Sequence, residues 1–233
     1  MKKVPLHIVL FPDGNRRWAK NRGLPSLKGH WRGYKNLIDF CYWCKDRGVK
    51  ILTAFGFSTE NWKRSEKEVN YLMKLFEKGL SDKGYLKKAE KEKVRIKIIG
   101  QKERLPKSLQ KVIKKVESFT ENNRNFQLNL AVSYGGKWDI LQAVQKIIRE
   151  KIPVENIDEN LFARFLSTAE LPDPDLVIRA GGEKRLSNFL LWQAAYSELY
   201  FSKKLWPDFT EKDLDDAIDD YSQRQRRFGG TPK

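Results

Sequence analysis

The chain has 233 residues, 40% hydrophobic and 33% charged, with a formal net charge of +16. This composition excludes a disordered or collagen-like chain and is long enough to bury a real core. The positive excess calls for an anionic partner: a phosphate-rich substrate, nucleic acid or an acidic membrane surface. No apolar run reaches the length of a membrane span, and Lys2 and Lys3 lead into a strand rather than a secretory signal. A cytoplasmic location is therefore expected.

Leu6 to Phe11 reads as a first strand, and its near-continuous apolar character suits a parallel sheet covered on both faces. Pro12 ends it, since proline cannot donate to a sheet ladder. Asp13-Gly14-Asn15-Arg16-Arg17-Trp18 then opens a helix. A strand end beside a helix N-terminus is where α/β proteins bind phosphates. One carboxylate, Asp13, among cationic groups suits Mg²⁺ held between protein and a diphosphate. The same stretch also reads simply as a helix start with Asp near the cap. Gly23 to Ser26 is a break, Gly29-His30 stands at a helix start, and the helix runs from about Trp31 to Arg47. Cys41 and Cys44 form a C-x-x-C within that helix, so they read as buried helix residues rather than a redox pair or zinc site.

Val49 to Phe57 is the second strand, running into Ser58-Thr59-Glu60-Asn61-Trp62-Lys63-Arg64. Val69, Leu72, Met73, Phe76 and Leu80 form the apolar stripe of the next helix. The lysine-rich segment from Ser81 to Lys93 reads as a solvated helix. Val94 to Gly100 is a third strand, followed by a helix with Leu109, Val112, Ile113, Val116 and Phe119 facing inward. Phe126 to Val132 is a fourth strand, delivering Ser133-Tyr134-Gly135-Gly136 to a helix from about Trp138 to Arg149. A polar connection with a short helix near Leu161 to Leu166 leads to the fifth strand, Leu176 to Ile178, and then to Arg179, Arg185 and Ser187. Asn188 to Gln193 reads as a short helix and Glu198 to Phe201 as a sixth strand. Thr210 and Asp213 form a capping box for the last helix.

The alternation gives one α/β domain, residues 1–233, with a central, mainly parallel six-stranded sheet flanked by helices. In such a sheet the carboxyl ends of the strands share one edge. Asp13, Asn15, Arg17, Ser58, Asn61, Arg64, Arg179, Arg185 and Ser187 can therefore share a cleft. Arginine forks with hydroxyls and amides fit two diphosphates better than one. Phe55, Phe57, Trp62, Phe189 and Trp192 stand near the same loops, as core or as the wall of a hydrocarbon site. No G-x-x-x-x-G-K-[ST] and no G-x-G-x-x-G occurs, so neither P-loop hydrolysis nor dinucleotide binding has support. His7 reads as structural, and His30 as either structural or phosphate-facing.

The ordered set Asp13 to Ala19, Gly29-His30, Phe57 to Arg64, Tyr134 to Gly136, Ile178 to Glu183, Arg185 to Gln193, Ser197 to Phe201 and Leu205 to Phe209 resembles the cis-prenyltransferases. These are the undecaprenyl diphosphate synthase family of isoprenyl transferases, and the resemblance runs from about His7 to Gly230. It implies condensation of an allylic diphosphate with isopentenyl diphosphate to form a cis double bond, with Mg²⁺ as cofactor. By the same resemblance Asp13 and Glu198 form the metal site. Gly14, Asn15, Arg16, Arg17, Trp18, His30 and Arg64 hold the allylic diphosphate. Arg179, Arg185, Ser187, Phe57 and Trp62 hold isopentenyl diphosphate, while Asn61 and Ser58, with Trp62, orient the reacting carbons. A hydrophobic tunnel near Gly56 and the Val69–Leu80 helix would set product length. The family implies a homodimer, with the Arg226-to-Gly230 tail reaching toward a partner's site.

Pro12 stands where many members have Met, Ser26 where an Arg usually contacts the allylic diphosphate, and Ser133 where Asn often precedes Tyr-Gly-Gly. Pro-Asp-Gly also occurs in relatives that make irregular couplings, but Asn15, Asn61, Trp62 and the Tyr-Gly-Gly motif are kept, so regular elongation is expected, with irregular or short-chain synthesis as the alternative. A non-catalytic partner subunit is disfavoured because Asp13, Arg17, Arg179, Arg185 and Glu198 are all kept. Lysines and arginines are spread along the chain, so sequence-specific nucleic-acid binding is not expected, whereas contact with acidic membrane through Lys83 to Lys93 is.

Overall fold

A computed structural model describes residues 3–225. Six strands form one sheet: β1 (His7–Phe11), β2 (Ile51–Ser58), β3 (Val94–Ile99), β4 (Phe126–Tyr134), β5 (Leu176–Arg179) and β6 (Glu198–Phe201). The order is β3-β4-β2-β1-β5-β6, and every pairing is parallel. The helices are α1 (Asn15–Lys20), α2 (Ser26–Asp46), α3 (Glu66–Ser81), α4 (Lys83–Lys91), α5 (Lys107–Phe119), α6 (Gly136–Arg149), α7 (Glu159–Phe165) and α8 (Glu211–Gln223). All five residues of β1 are buried, as expected of a central strand covered on both faces. Its alternate residues feed two cores: Ile8 and Leu10 join Phe40, Leu52 and Trp206, while Val9 and Phe11 join Tyr134, Val177 and Phe189.

Three expectations need correcting. Helix α2 starts at Ser26 rather than Trp31, so Gly29 and His30 lie within it. Gly29 and Gly33 are close-packing positions: a Cβ would fall 2.0 Å from the Asn15 carbonyl oxygen at the first and 2.0 Å from Asn15 Oδ1 at the second. Residues 188–193 form turns, not a helix, because Ser187, Asn188 and Leu190 hold left-handed φ angles of 43°, 63° and 45°. Phe119 faces outward, 52% exposed. The inward slot goes to Thr120, which accepts from Ile96 N at 3.1 Å, while Glu117 accepts from Ile98 N at 2.8 Å. Helix α5 thereby covers the outer N–H groups of edge strand β3. The lysine-rich α4 is mostly solvated, yet it buries Ala89 and packs Leu86 on the core. Cys41 and Cys44 are buried free thiols in α2, and burial pushes the Cys41 thiol up to about 12.

A polar ladder crosses the sheet. The His7 Nδ1–H donates to the Pro172 carbonyl (2.8 Å), and Nε2 accepts from Thr53 Oγ1 (2.8 Å). Thr53 in turn accepts from Asn129 Nδ2 (3.1 Å). Burial lowers the His7 pKa from 6.5 to about 4. The unfolded chain therefore binds the extra proton first as pH falls. His7 should contribute nothing to this dependence above pH 6.5, and stability should drop progressively between pH 6.5 and about 4. The shift corresponds to about 3 kcal/mol. Urea unfolding of wild type and His7→Gln across that range checks this; equal slopes would remove His7 as the cause.

Candidate active site

Parallel pairing brings the ends of β1, β2 and β5 to one edge, where a cavity of about 580 Å³ opens. Its wall includes Asp13, Gly14, Asn15, Arg16, Arg17, His30, Phe57, Ser58, Asn61, Arg64, Arg179 and Ser187. Twelve of the residues assigned from sequence thus share one chamber.

The turn after β1 aims Asp13. Gly14 holds φ 102°, and a Cβ there would lie 2.7 Å from Leu205 Cδ2, so both conformation and space demand glycine. The Arg179 Nε and Nη2 donate to Asp13 Oδ2 at 2.9 and 2.7 Å, and Arg179 Nη1 donates to Ser187 Oγ (2.8 Å) and to the Arg185 carbonyl. Arg179 is only 4% exposed, so this fork fixes the carboxylate and the strained loop together. Among the described residues no donor reaches Asp13 Oδ1. A single hard oxygen beside diphosphate-sized space and guanidinium groups fits Mg²⁺ completed by substrate phosphates. No group of three His, Cys, Asp or Glu able to hold a metal alone occurs among the described residues.

Also on the chamber wall, His30 Nε2 donates to Glu68 Oε1 at 3.2 Å and Arg64 Nη1 donates to the same oxygen at 3.0 Å. Arg16 Nη1 stands 3.8 Å from Glu68 Oε2. Burial lowers the His30 pKa despite the Glu68 carboxylate, so the ring is neutral at pH 7 with Nε2 protonated. Sequence reasoning missed Glu68. Its place three residues after Ser65 reads as a capping box, and Ser65 does accept from Glu68 N. Its side chain turns instead to the cations, 11% exposed. Ser58 and Asn61 form a reciprocal capping box on the 3-10 turn Thr59–Lys63, which locks both against the cavity.

Four assigned residues stand apart from the chamber wall. Trp18 Nε1 donates to Asp208 Oδ1 at 2.7 Å, and Trp62 Nε1 donates to Ser133 Oγ at 2.8 Å. Both rings brace neighbouring segments. Arg185 points to Glu183, 2.5 Å away, and is largely exposed. Glu198 is the first residue of β6, in register with Leu176 rather than Arg179. It lies about 10 Å down-strand from the site edge and accepts from Arg224 at 2.7 Å. Asp13 and Glu198 therefore do not meet within one chain. Among the described residues the expected tunnel is not seen as a continuous passage. A second, apolar cavity of about 100 Å³ lies between α2, α3, α4 and the sheet, lined by Tyr34, Cys41, Phe76, Leu80, Leu86 and Leu130 among others. Phe76 lines this cavity and also sits against Gly56 of the first, its ring 3.1 Å from where a Gly56 Cβ would be. The Arg226–Gly230 tail lies outside the described residues.

A parallel α/β sheet whose carboxyl edge gathers Asp13 and several guanidinium groups, with an apolar cavity behind it, fits an enzyme that handles diphosphates of hydrocarbons. Comparison with known proteins makes this specific. The family profile for undecaprenyl diphosphate synthase, Prenyltransf, matches residues 11–229. The chain is 49% identical over 230 residues to the isoprenyl transferase of Thermotoga maritima, covering 98% of each chain. The crystal structure of lavandulyl diphosphate synthase from Lavandula x intermedia, in complex with dimethylallyl diphosphate, superposes with a TM-score of 0.93 at 39% identity, covering 97% of this chain and 98% of that one. That of a probable undecaprenyl diphosphate synthase from Campylobacter jejuni gives 0.82 at 33% identity, covering 98% of this chain and 100% of that one. The chain belongs to the undecaprenyl diphosphate synthase family and is a cis-prenyltransferase.

Proposed function

We propose that this enzyme condenses isopentenyl diphosphate with an allylic prenyl diphosphate, in a Mg²⁺-dependent reaction, to give a longer (Z)-polyprenyl diphosphate. The observation that carries this reading is the single chamber joining the Asp13–Arg179 fork to the Arg16, His30 and Arg64 wall, with Phe76 and the apolar cavity behind Gly56. Asp13 and the substrate phosphates would hold Mg²⁺, which neutralises charge on the departing diphosphate. Asn15, Arg16, Arg17 and Arg64 hold the allylic diphosphate electrostatically, and the Gly14 turn brings backbone close to it. Ser187, and Arg185 once released from Glu183, bind isopentenyl diphosphate, while Arg179 orients Asp13 and Ser187. Ser58 and Asn61, fixed by their mutual cap, hold the two substrates side by side and remove the entropy of their encounter. Glu68 keeps His30 and Arg64 in place. In Glu68→Gln, which keeps volume but loses charge, KM for the allylic substrate should rise about tenfold with a smaller change in kcat. Steady-state kinetics checks this, and an unchanged KM would confine Glu68 to capping α3.

A second copy of the chain covers the apolar face of α6, where Leu141, Val144 and Ile148 stand exposed at helical spacing. The enzyme works in the cytoplasm, at the membrane that receives its product; no helix among the described residues is long and apolar enough to cross one. The test of the reaction is product analysis with dimethylallyl, geranyl and farnesyl diphosphates offered in turn, with and without a chelator. No condensation with any of them, with Mg²⁺ present, would end this reading. A second reading, short-chain or irregular coupling, is favoured by Phe76 standing between the cavities and by the likeness to lavandulyl diphosphate synthase. A branched product from dimethylallyl diphosphate alone would select it.

A further inference from the structure

Outside the active site, a groove of about 610 Å³ runs between the outer faces of α2 and α3. Its floor is Leu27, Trp31, Tyr71 and Leu75, and its rim is Lys28, Lys74 and Lys78. Lys28, Trp31 and Lys35 lie on one face of α2 at helical spacing, as do Tyr71, Lys74 and Lys78 on α3. The Lys35 and Lys78 ammonium groups stand 5.2 and 5.3 Å from the Trp31 ring centroid, so the indole holds two cations at the groove. Among the described residues no carboxylate lines the groove, and none of these four lysines makes an ion pair. The Trp31 ring stacks on Tyr34, which lines the apolar cavity behind the active site.

We propose that this groove docks the enzyme on an anionic lipid bilayer. An apolar floor carrying Trp and Tyr and ringed by unpaired lysines matches the boundary between acyl chains and negatively charged headgroups. The lysine-rich α4, the segment expected from sequence to touch membrane, is a poorer fit. Lys93 pairs with Glu90 at 2.6 Å, Glu92 pairs with Lys45 at 2.8 Å, and Lys88 lies over the Tyr42 ring. The purpose of docking rests on the proposed reaction, because an enzyme whose product is a hydrocarbon tail must deliver it to lipid. The binding itself does not rest on that reading, and Tyr34 places the docked face beside the chamber proposed to hold the tail.

The experiment is co-sedimentation of the full chain with vesicles of phosphatidylcholine alone or mixed with phosphatidylglycerol, at low and physiological salt. The triple variant Lys28→Glu/Lys74→Glu/Lys78→Glu is compared with Lys107→Glu/Lys111→Glu/Lys114→Glu, an equal charge change on exposed lysines of α5. Wild type should bind only the anionic vesicles, and the groove variant should lose about a hundredfold in partitioning while the α5 variant loses far less. Circular dichroism and turnover of a short allylic substrate in detergent should be unchanged in both. Loss of turnover in wild type would count against the proposed reaction and leave the docking result standing. Equal losses in the two variants, equal binding to neutral and anionic vesicles, or stronger groove-dependent binding to a single-stranded RNA oligonucleotide would each overturn the assignment.

Discussion

Asp13→Ala is expected to lower kcat/KM by about a thousandfold or more, because it removes the carboxylate proposed to meet both the metal ion and the diphosphates. It should also destabilise the fold. Arg179 is buried and directs Nε and Nη2 to Asp13 Oδ2, so the variant strands a guanidinium that keeps only Ser187 and the Arg185 carbonyl. Losing one partner of a fully buried pair costs several kcal/mol. The Asp13 side chain is 39% exposed, so water replaces part of what is lost and the cost should be about 2 kcal/mol. Asp13→Asn separates the two effects, since the amide keeps the shape and one acceptor for Arg179. It should unfold at nearly the wild-type urea concentration and remain inactive. Near-wild-type turnover by the Asn variant would remove Asp13 from the chemistry.

Phe76→Ala is expected to lengthen the product. Phe76 stands between the catalytic chamber and the apolar cavity walled by α2, α3 and α4, against a glycine that leaves no spare room: a Gly56 Cβ would lie 3.1 Å from its ring and 3.2 Å from the Ala131 carbonyl oxygen. Removing the ring joins the two spaces and gives a growing chain a path inward. Half-burial of Phe76 sets the stability cost at about 2 kcal/mol, below the usual loss for a fully buried phenylalanine. Gly56→Ala should act in the opposite direction, shortening the product by pressing on Phe76. Chromatography of radiolabelled products from one allylic substrate reads both changes. Identical chain-length distributions in the three proteins would show that product length is decided elsewhere.

Strand order could not be read from the sequence, but the convergence of strand ends could. Six apolar runs, each followed by polar side chains, sufficed to gather Asp13, Ser58, Asn61, Arg179 and Ser187 at one edge. The differences have specific physical causes. The resemblance puts Glu198 in a metal site with Asp13, and within one chain Glu198 opens its strand, so the parallel sheet holds it away from the edge that carries Asp13. Glu68 was hidden because a helix-capping position and a buried counter-ion look alike in one dimension. Gly29 resembles a helix boundary in sequence, whereas it is, like Gly33, a position of close contact with Asn15. Of the left-handed residues at 187, 188 and 190, Ser187 and Leu190 carry side chains that favour other conformations. Tertiary bonds help hold that loop, such as Gly136 N to the Asn188 carbonyl at 2.6 Å and Asn188 Nδ2 to Glu60 at 2.8 Å. Trp18 and Trp62 matched a motif by identity, whereas which way an indole faces depends on partners such as Asp208 and Ser133 that lie far along the chain.

Asp13 and the guanidinium that orients it are separated by 166 positions. During synthesis the first half of the site leaves the ribosome long before β5 exists to receive it. β1 must wait as well, unable to complete its place in the sheet until residues 176–179 arrive. Competence to bind diphosphate is therefore acquired late in translation, and a nascent chain arrested before Arg179 presents β1 paired with β2 on one side only, with no guanidinium to aim Asp13. The open apolar edge of such an intermediate is the kind of surface that chaperones bind.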